Sequence, residues 1–212
     1  MRVLSVNVGL PQPLVAHDQV VQSGIVKRPV NGPVTIRRTN LDGDGQGDPS
    51  VHGGPLKAVY AYASEHYAFW CNEYPDAALP FGTFGENLTT AGLLDEEVCI
   101  GDRFQVGAAV LMVTQPRMPC FKLAARFQRH EILERMIDAR RHGFYFAVLE
   151  EGPVCAGDPI RLLERHPAAL SVPTMVALYL GHSVDPHLLE RAMSLEMLTP
   201  KWKNKLALRA AV

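Results

Sequence analysis

The sequence predicts a mostly β fold interrupted by helices, of the α+β class, and three observations support this prediction. Short segments rich in Val, Ile, Thr and Tyr recur through roughly the first 160 positions. The 17 glycines and 16 prolines are concentrated between these segments, as turn residues are in antiparallel barrels and sandwiches. Strands and helices do not alternate regularly, which disfavours a doubly wound α/β fold.

Eight strands are predicted, because each segment combines β-branched or aromatic residues with turn residues at its ends. They are Val3–Val8, Pro33–Arg38, Lys57–Ala63, Asn87–Thr90, Asp102–Val106, Ala109–Thr114, Phe144–Leu149 and Ile160–Leu163. Three helices are expected among them. One covers Glu65–Tyr74, a second begins near Pro119, and a third covers Glu131–His142 and is ended by Gly143.

The pattern changes after about Leu163. Capping residues beside prolines predict three short helices, at Thr174–Leu180, His187–Met193 and Lys201–Ala211. We therefore expect a β domain at residues 1–163 and a three-helix extension at residues 164–212. Helices this short must pack on each other or on a partner to be stable.

Charge and hydropathy exclude several classes of protein. The 21 basic and 22 acidic side chains give a net charge of −1, whereas nucleic-acid-binding proteins need a strongly basic face. The longest apolar run, Ala108–Val113, is far shorter than the roughly 18 residues that span a membrane. The first residues alternate like a strand and do not resemble a secretion signal. The four cysteines are therefore expected to be reduced thiols in the cytoplasm.

Familiar site motifs do not fit. The Asp- and Gly-rich segment at residues 42–48 matches a calcium-binding loop at three positions, but Gly53 stands where the bidentate Glu is required. The sequence contains no P-loop, no HExxH or GxSxG motif and no paired zinc-ligand spacing.

Cys120 is the most unusual cysteine. Pro116 and Pro119 stiffen the turn before it, and it lies at the start of a predicted helix. The helix end and the charges of Arg117 and Lys122 favour the thiolate, which suits a nucleophile or a soft metal ligand. A small buried hydrophobic side chain is the alternative.

Two glycine-rich loops are further candidates. The first, residues 48–57, contains His52 and two adjacent glycines directly before a predicted strand. The second, residues 81–90, offers amide and hydroxyl groups beside two more glycines. Such glycines let a backbone approach a ligand closely, although tight turns between strands are the alternative.

Three segments, Asp48–Tyr60, Gly85–Thr89 and Pro116–Leu123, occur in order and together resemble the MOSC domain family (molybdenum cofactor sulfurase C-terminal domain). The C-terminal helices resemble the extension of YiiM-type bacterial members. The resemblance implies a β-barrel domain that binds a molybdopterin-type molybdenum cofactor, with Cys120 bound to molybdenum. At the family level it also implies pyridoxal phosphate binding.

The same resemblance implies an oxidoreductase that reduces N-hydroxylated compounds, such as N-hydroxylated purine base analogues, and so removes toxic analogues. Removing the oxygen takes two electrons and two protons, which a metal can handle and side chains cannot. His52 or Asp48 either delivers protons or fixes the loop. An external electron-donor reductase is expected, because the sequence has no flavin, haem or iron–sulfur motif.

The anionic phosphate of such a cofactor needs cationic or amide donors. The candidate cofactor-binding residues are Lys27, Arg37, His52, Gly53, Gly54, Lys57, Thr83, Gly85, Asn87 and Arg117. The C-terminal helices either form a homodimer interface, cover the substrate, dock a partner or close one end of the barrel.

Two other functions remain open. In one, Cys120 holds a persulfide or a thiolate-bound cofactor as a sulfur or cofactor carrier without turnover. In the other, Cys120 is the nucleophile of a metal-free thiol hydrolase with His52 or His66 as its base.

Overall fold

The computed structural model, which describes residues 1–16, 19–48, 52–183 and 185–210, contains one large sheet and two small ones. The strands are β1 (Arg2–Val8), β2 (Gln12–Ala16), β3 (Gln19–Ser23), β4 (Arg28–Pro29), β5 (Val34–Ile36), β6 (Val59–Ala63), β7 (Leu88–Ala91), β8 (Arg103–Val106), β9 (Ala109–Pro116), β10 (Phe144–Glu150), β11 (Gly152–Val154) and β12 (Ile160–Glu164). The large sheet has the order β12-β8-β9-β10-β6-β7-β1-β4. Its pairs are antiparallel except β6 with β7.

Six helices accompany the sheet in the described residues. They are α1 (Glu65–Glu73), α2 (Phe121–Phe127), α3 (Ile132–Asp138), α4 (Val172–Leu180), α5 (Pro186–Met193) and α6 (Pro200–Ala210). A single turn of 3-10 helix at Pro55–Lys57 leads into β6. The predicted α+β class is confirmed. The eight predicted strands are all present, and none of their ends differs from the prediction by more than two residues.

The β-barrel expected for residues 1–163 is not closed in the described residues. Strands β12 and β4 are the two ends of an open sheet. The sheet curls until the start of β1 meets the turn before β12, where Val3 donates to the carbonyl of Asp158 and accepts from Gly157. Together with one isolated bridge, these bonds connect β1 to the turn before β12 at a single place. They do not form a ladder of paired strands in the described residues. Strand β4, at the other end of the sheet, pairs with β1 over two residues only.

Helix α3 is shorter than predicted. It ends at Asp138, and Arg140 follows with a left-handed φ of 52°. Gly143 therefore does not end the helix. Gly143, with a φ of 62°, instead lets the chain at the start of β10 lie close to β6. A Cβ there would lie 2.4 Å from the carbonyl oxygen of Ala61.

Strand β6 is buried on both faces and separates two hydrophobic clusters. Val59 and Ala61 belong to the larger cluster. Tyr60 and Tyr62 point into an aromatic cluster formed with α1, α2 and α3. The alternation of side chains along a strand explains how one short segment contributes to both.

Helices α4, α5 and α6 bury their apolar faces against the larger cluster, which includes Met175, Leu189 and Trp202. Ser171 caps α4 by accepting from the backbone of Thr174, and Asp185 caps α5 in the same way. Within the described residues no helix is long and apolar enough to cross a membrane.

The aromatic cluster predicts a large effect of truncating Trp70. This side chain is fully buried against Tyr74 and Phe84, and its ring N–H donates to Tyr62 at 2.6 Å. Trp70→Ala should lower the free energy of unfolding by about 3–5 kcal/mol in urea denaturation. Leu163→Ala, at a position 54% exposed, should change it by less than about 0.5 kcal/mol. Equal effects of the two variants would contradict this core assignment.

Candidate functional site

A cleft of about 710 Å³, open to solvent on one side, lies where β6, β10 and the start of α2 meet the loops at residues 44–47 and 52–57. Eight of the predicted site residues line it: Lys27, His52, Gly53, Lys57, Gly85, Asn87, Arg117 and Cys120. We call it the site cavity.

Cys120 lies at the N-terminus of α2, as predicted, with its thiol half-buried in the wall of the site cavity. Its Sγ atom is 3.9 Å from Nε2 of His52. Burial disfavours the thiolate, but the hydrogen bond from His52, the charge of Arg117 and the backbone N–H of Lys122 outweigh it. Together they lower the pKa of Cys120 to about 6, so the thiolate dominates at neutral pH.

Arg117 and Lys122 are buried cations in the wall of the site cavity, with 4% and 7% of their surfaces exposed. Neither takes part in an ion pair with a carboxylate in the described part of the chain. The Arg117 guanidinium instead donates to Sδ of Met136 and lies over the ring of Tyr60. Buried charge of this kind requires an anion, and the Cys120 thiolate supplies only one.

Lys27 is held by Asp44 at the inner wall of the site cavity. The two side chains form a buried ion pair, and Asp44 also accepts from the side chain of Asn87 at 2.9 Å and from the backbone of Gly9. Burial lowers the pKa of Lys27 although Asp44 opposes the shift. Through these contacts with Asp44, Lys27 and Asn87 mainly stabilise the wall of the site cavity.

Lys57 is half-buried in the site cavity next to helix α6. Burial and the neighbouring charge of Lys201 lower its pKa. Because Lys201 belongs to α6, the C-terminal helices add positive charge near this side of the site.

Four predicted residues lie outside the lining of the site cavity. Arg37 is on the exposed surface, where it pairs with Asp42 and Glu151. The hydroxyl of Thr83 donates to the carbonyl of Pro80 in a turn. Gly54 and Asp48 lie in the neighbouring loop, where the Asp48 carbonyl accepts from the backbone N–H of His52 at 2.9 Å.

His66, the second candidate base, is also outside the site cavity. It is buried between Asp95, 3.2 Å from its Nε2, and Arg141, which lies 2.9 Å from its Nδ1. The structure therefore leaves His52 as the histidine beside Cys120 among the described residues.

Sequence reasoning missed several residues of the site cavity. Its lining also includes Ser23, Gly24 and Ile25, which lie at the end of the β2–β3 hairpin. This hairpin was not predicted. Gly85 has a positive φ of 83°, and a Cβ at this position would lie 2.8 Å from Cγ1 of Ile25. Tyr60 and Tyr145 form an aromatic wall, with ring centres 5.3 Å apart, and their alternation along β6 and β10 could have revealed them.

Residues 48–161, more than half of the chain, match the MOSC domain. The chain belongs to the MOSC domain family. Protein YiiM of Escherichia coli is 34% identical over 196 residues, which cover 92% of this chain and 87% of that protein. The crystal structure of YiiM from Geobacillus stearothermophilus superposes with a TM-score of 0.81 and 32% identity, covering 98% of both chains. The protein is thus a MOSC protein of the YiiM type.

Two further relatives extend the comparison. Protein YflK of Bacillus subtilis is 43% identical over 95% of this chain and 90% of its own length. A protein of Gibberella moniliformis named "Reductase" is 39% identical over 84% of this chain, which covers 32% of that longer protein.

The lowered pKa of Cys120 predicts a specific pH dependence of alkylation in the metal-free protein. Since the thiolate is the reactive form, the rate with iodoacetamide should rise with pH and level off with a midpoint near pH 6, read by mass spectrometry. His52→Phe should move that midpoint upward. Cys155, whose pKa is raised by its hydrogen bond to Asp158, provides the internal reference with a higher midpoint. A Cys120 midpoint near pH 9 would contradict the assignment.

Proposed function

We propose that the chain is a molybdenum-cofactor-binding oxidoreductase that reduces N-hydroxylated compounds, among them N-hydroxylated purine base analogues. The observation that carries the proposal is the site cavity itself, where the Cys120 thiolate lies close to the charge of Arg117. Both Arg117 and Lys122 are buried in its wall without a carboxylate partner among the described residues. A relative named "Reductase" supports the oxidoreductase class.

The residues of the site cavity fit such a cofactor. Thiolate is a soft ligand that suits molybdenum, and Cys120 offers it at an open position in the wall. Arg117 and Lys122 supply the positive charge that an anionic phosphate or dithiolene group needs, and Lys57 adds to it. The aromatic wall of Tyr60 and Tyr145 suits a planar heterocycle.

Each residue then has a defined task. Cys120 binds the metal, while Arg117 and Lys122 neutralise the charge of the cofactor. His52 lies next to Cys120, and its imidazole is able to hold a proton for the reaction. The backbone of Asp48 orients His52 through its carbonyl, so Asp48 acts as a positioning residue.

A bound cofactor would supply the two electrons of the reduction. Of the two protons taken up as the N–O bond breaks, one would leave with the oxygen as water and one would remain on the nitrogen. The chain itself must bind the substrate, exclude bulk water and provide protons at His52. We also propose an external electron-donor reductase and a cytoplasmic location, where thiols stay reduced.

Metal and pterin analysis tests the ligand role of Cys120. Protein purified from a host that makes the cofactor should contain close to one molybdenum and one pterin per chain, and Cys120→Ser should lose most of the metal. Cys71→Ser, at an exposed position, is the matched control and should retain it. A Cys120→Ser variant that keeps its molybdenum but loses activity would count against ligation.

The buried cations predict a graded loss of cofactor affinity. Arg117→Met or Lys122→Met should weaken cofactor retention by about ten- to a hundredfold, because a hydrogen bond to a charged group contributes about 1.5–3 kcal/mol. Arg37→Met, at an exposed cation outside the site cavity, should leave retention unchanged. Release can be followed by pterin fluorescence after dilution, and equal release from all three variants would refute the assignment.

Turnover separates the reductase from the carrier. With reduced viologen as electron donor, the molybdenum-loaded protein should convert an N-hydroxylated purine to the amine, as followed by chromatography. A labile gain of one sulfur atom on Cys120, together with no turnover, would instead favour the carrier.

A further inference from the structure

Asp95 is a fully buried carboxylate between β7 and β8 that does not line the site cavity and has no task in the reaction described above. Its Oδ2 atom accepts from the backbone N–H groups of His142 and Gly143, each at 2.9 Å. Its Oδ1 atom lies 3.2 Å from Nε2 of His66. A carboxylate withdrawn from solvent is costly unless N–H donors surround it, so these contacts fix Asp95 and its donors relative to one another.

The hydrogen on the ring of His66 is also fixed. Nδ1 of His66 lies 2.9 Å from the guanidinium of Arg141, and a guanidinium only donates, so Nδ1 is the acceptor. In a neutral ring the hydrogen then lies on Nε2, where it points to Asp95. The two oxygens of Asp95 thus accept from three N–H groups in the described part of the chain.

The segment that Asp95 holds, His142–Gly143, is linked to Arg117 in three ways. The backbone N–H of Arg117 donates to the Gly143 carbonyl at 3.0 Å, and the Arg117 carbonyl lies 3.3 Å from Nδ1 of His142. The third link runs through Tyr60, whose hydroxyl donates to the His142 carbonyl at 2.8 Å and whose ring lies under the Arg117 guanidinium. The place of the guanidinium therefore depends on the place of this segment.

We propose that Asp95 is a positioning residue, which holds the guanidinium of Arg117 near Cys120 in the wall of the site cavity by fixing the His142–Gly143 segment. The attraction between a cation and an anion falls with distance, so the charge of Arg117 is useful only while it stays within a few ångström of the anion that it meets. The value of this positioning for the reaction rests on the proposed function, in which Arg117 neutralises the charge of the cofactor.

Two alkylating reagents measure the charge beside Cys120 without cofactor or turnover. Iodoacetate is an anion and iodoacetamide is neutral, but both react with the same thiolate. At a fixed pH of about 8.5 the thiolate fraction cancels from the ratio of the two rates, and the ratio rises with the positive charge nearby. Mass spectrometry of the metal-free full chain gives both rates at Cys120, and the exposed Cys71 provides the reference ratio.

The expected result is a fall of the iodoacetate-to-iodoacetamide ratio at Cys120. Arg117→Met removes the charge and should lower the ratio about fivefold. Asp95→Asn should lower it about twofold or more, because an amide in either orientation turns its NH₂ group against an N–H donor and releases the segment. The direct effect of losing a carboxylate has the opposite sign, since it leaves the surroundings more positive and would raise the ratio.

Asp102→Asn is the matched control. Asp102 is equally buried, also accepts from two backbone N–H groups and loses the same charge, but its partners are Cys99 and His166. This variant should keep the ratio of the unaltered chain, whereas a merely structural role of both aspartates would change the two variants alike. An unchanged ratio in Asp95→Asn, or an equal fall in both variants, would overturn the proposal.

A second variant decides if Asp95→Asn does not fold. His142→Leu removes the ring donor to the Arg117 carbonyl and should also lower the ratio, so an unchanged ratio there would refute the positioning. Failure of the proposed function is a separate result. An unaltered chain that binds no molybdenum would refute the cofactor role, and the alkylation ratio would still establish whether Asp95 positions Arg117.

Discussion

The guanidinium of Arg117 is withdrawn from solvent, with no carboxylate beside it in the described residues, and the site is arranged around this positive charge. It lies over Tyr60, donates to a methionine sulfur and helps to keep Cys120 ionised. An arginine cannot relieve such burial by losing its proton. The charge therefore has to be met by anions, first by the thiolate and then by whatever molecule enters the cavity.

The local sequence around Cys120 predicted an environment that favours the thiolate, because part of the cause is local. Two prolines, a helix start and two basic neighbours all lie within a few positions of the thiol. The contribution of His52 is not local, since 68 positions separate it from Cys120. The motif in the first glycine-rich loop and the family resemblance brought it into the predicted site.

Features that depend on distant pairing could not be predicted in this way. Closure of a barrel is decided by which strands meet at the two edges, and no single segment records that choice. The sequence suggested Arg37 as a cation that binds the cofactor. In the structure Arg37 lies on the exposed surface, where it pairs with the exposed side chains of Asp42 and Glu151. The hairpin that delivers Ile25 to the cavity is itself largely exposed and lacks the buried pattern of the other strands.

The family assignment and the geometry of the structure explain different features of the protein. Similarity to YiiM over nearly the whole chain supports the mixed α+β architecture. It does not explain why a lysine from α6 lies close enough to Lys57 to influence it. That proximity follows from packing the C-terminal helices on the main hydrophobic cluster.

Strand β6 has no face toward solvent, since its side chains enter two different clusters in alternation. A change of volume at Val59 or Ala61 would displace the same backbone that carries Tyr60 into the cavity wall. The packing of both clusters and the shape of the site cavity therefore depend on the same strand. Sequence drift among its five residues should occur as paired, compensating replacements, whereas the outer strand β12, with four exposed residues, can vary one position at a time.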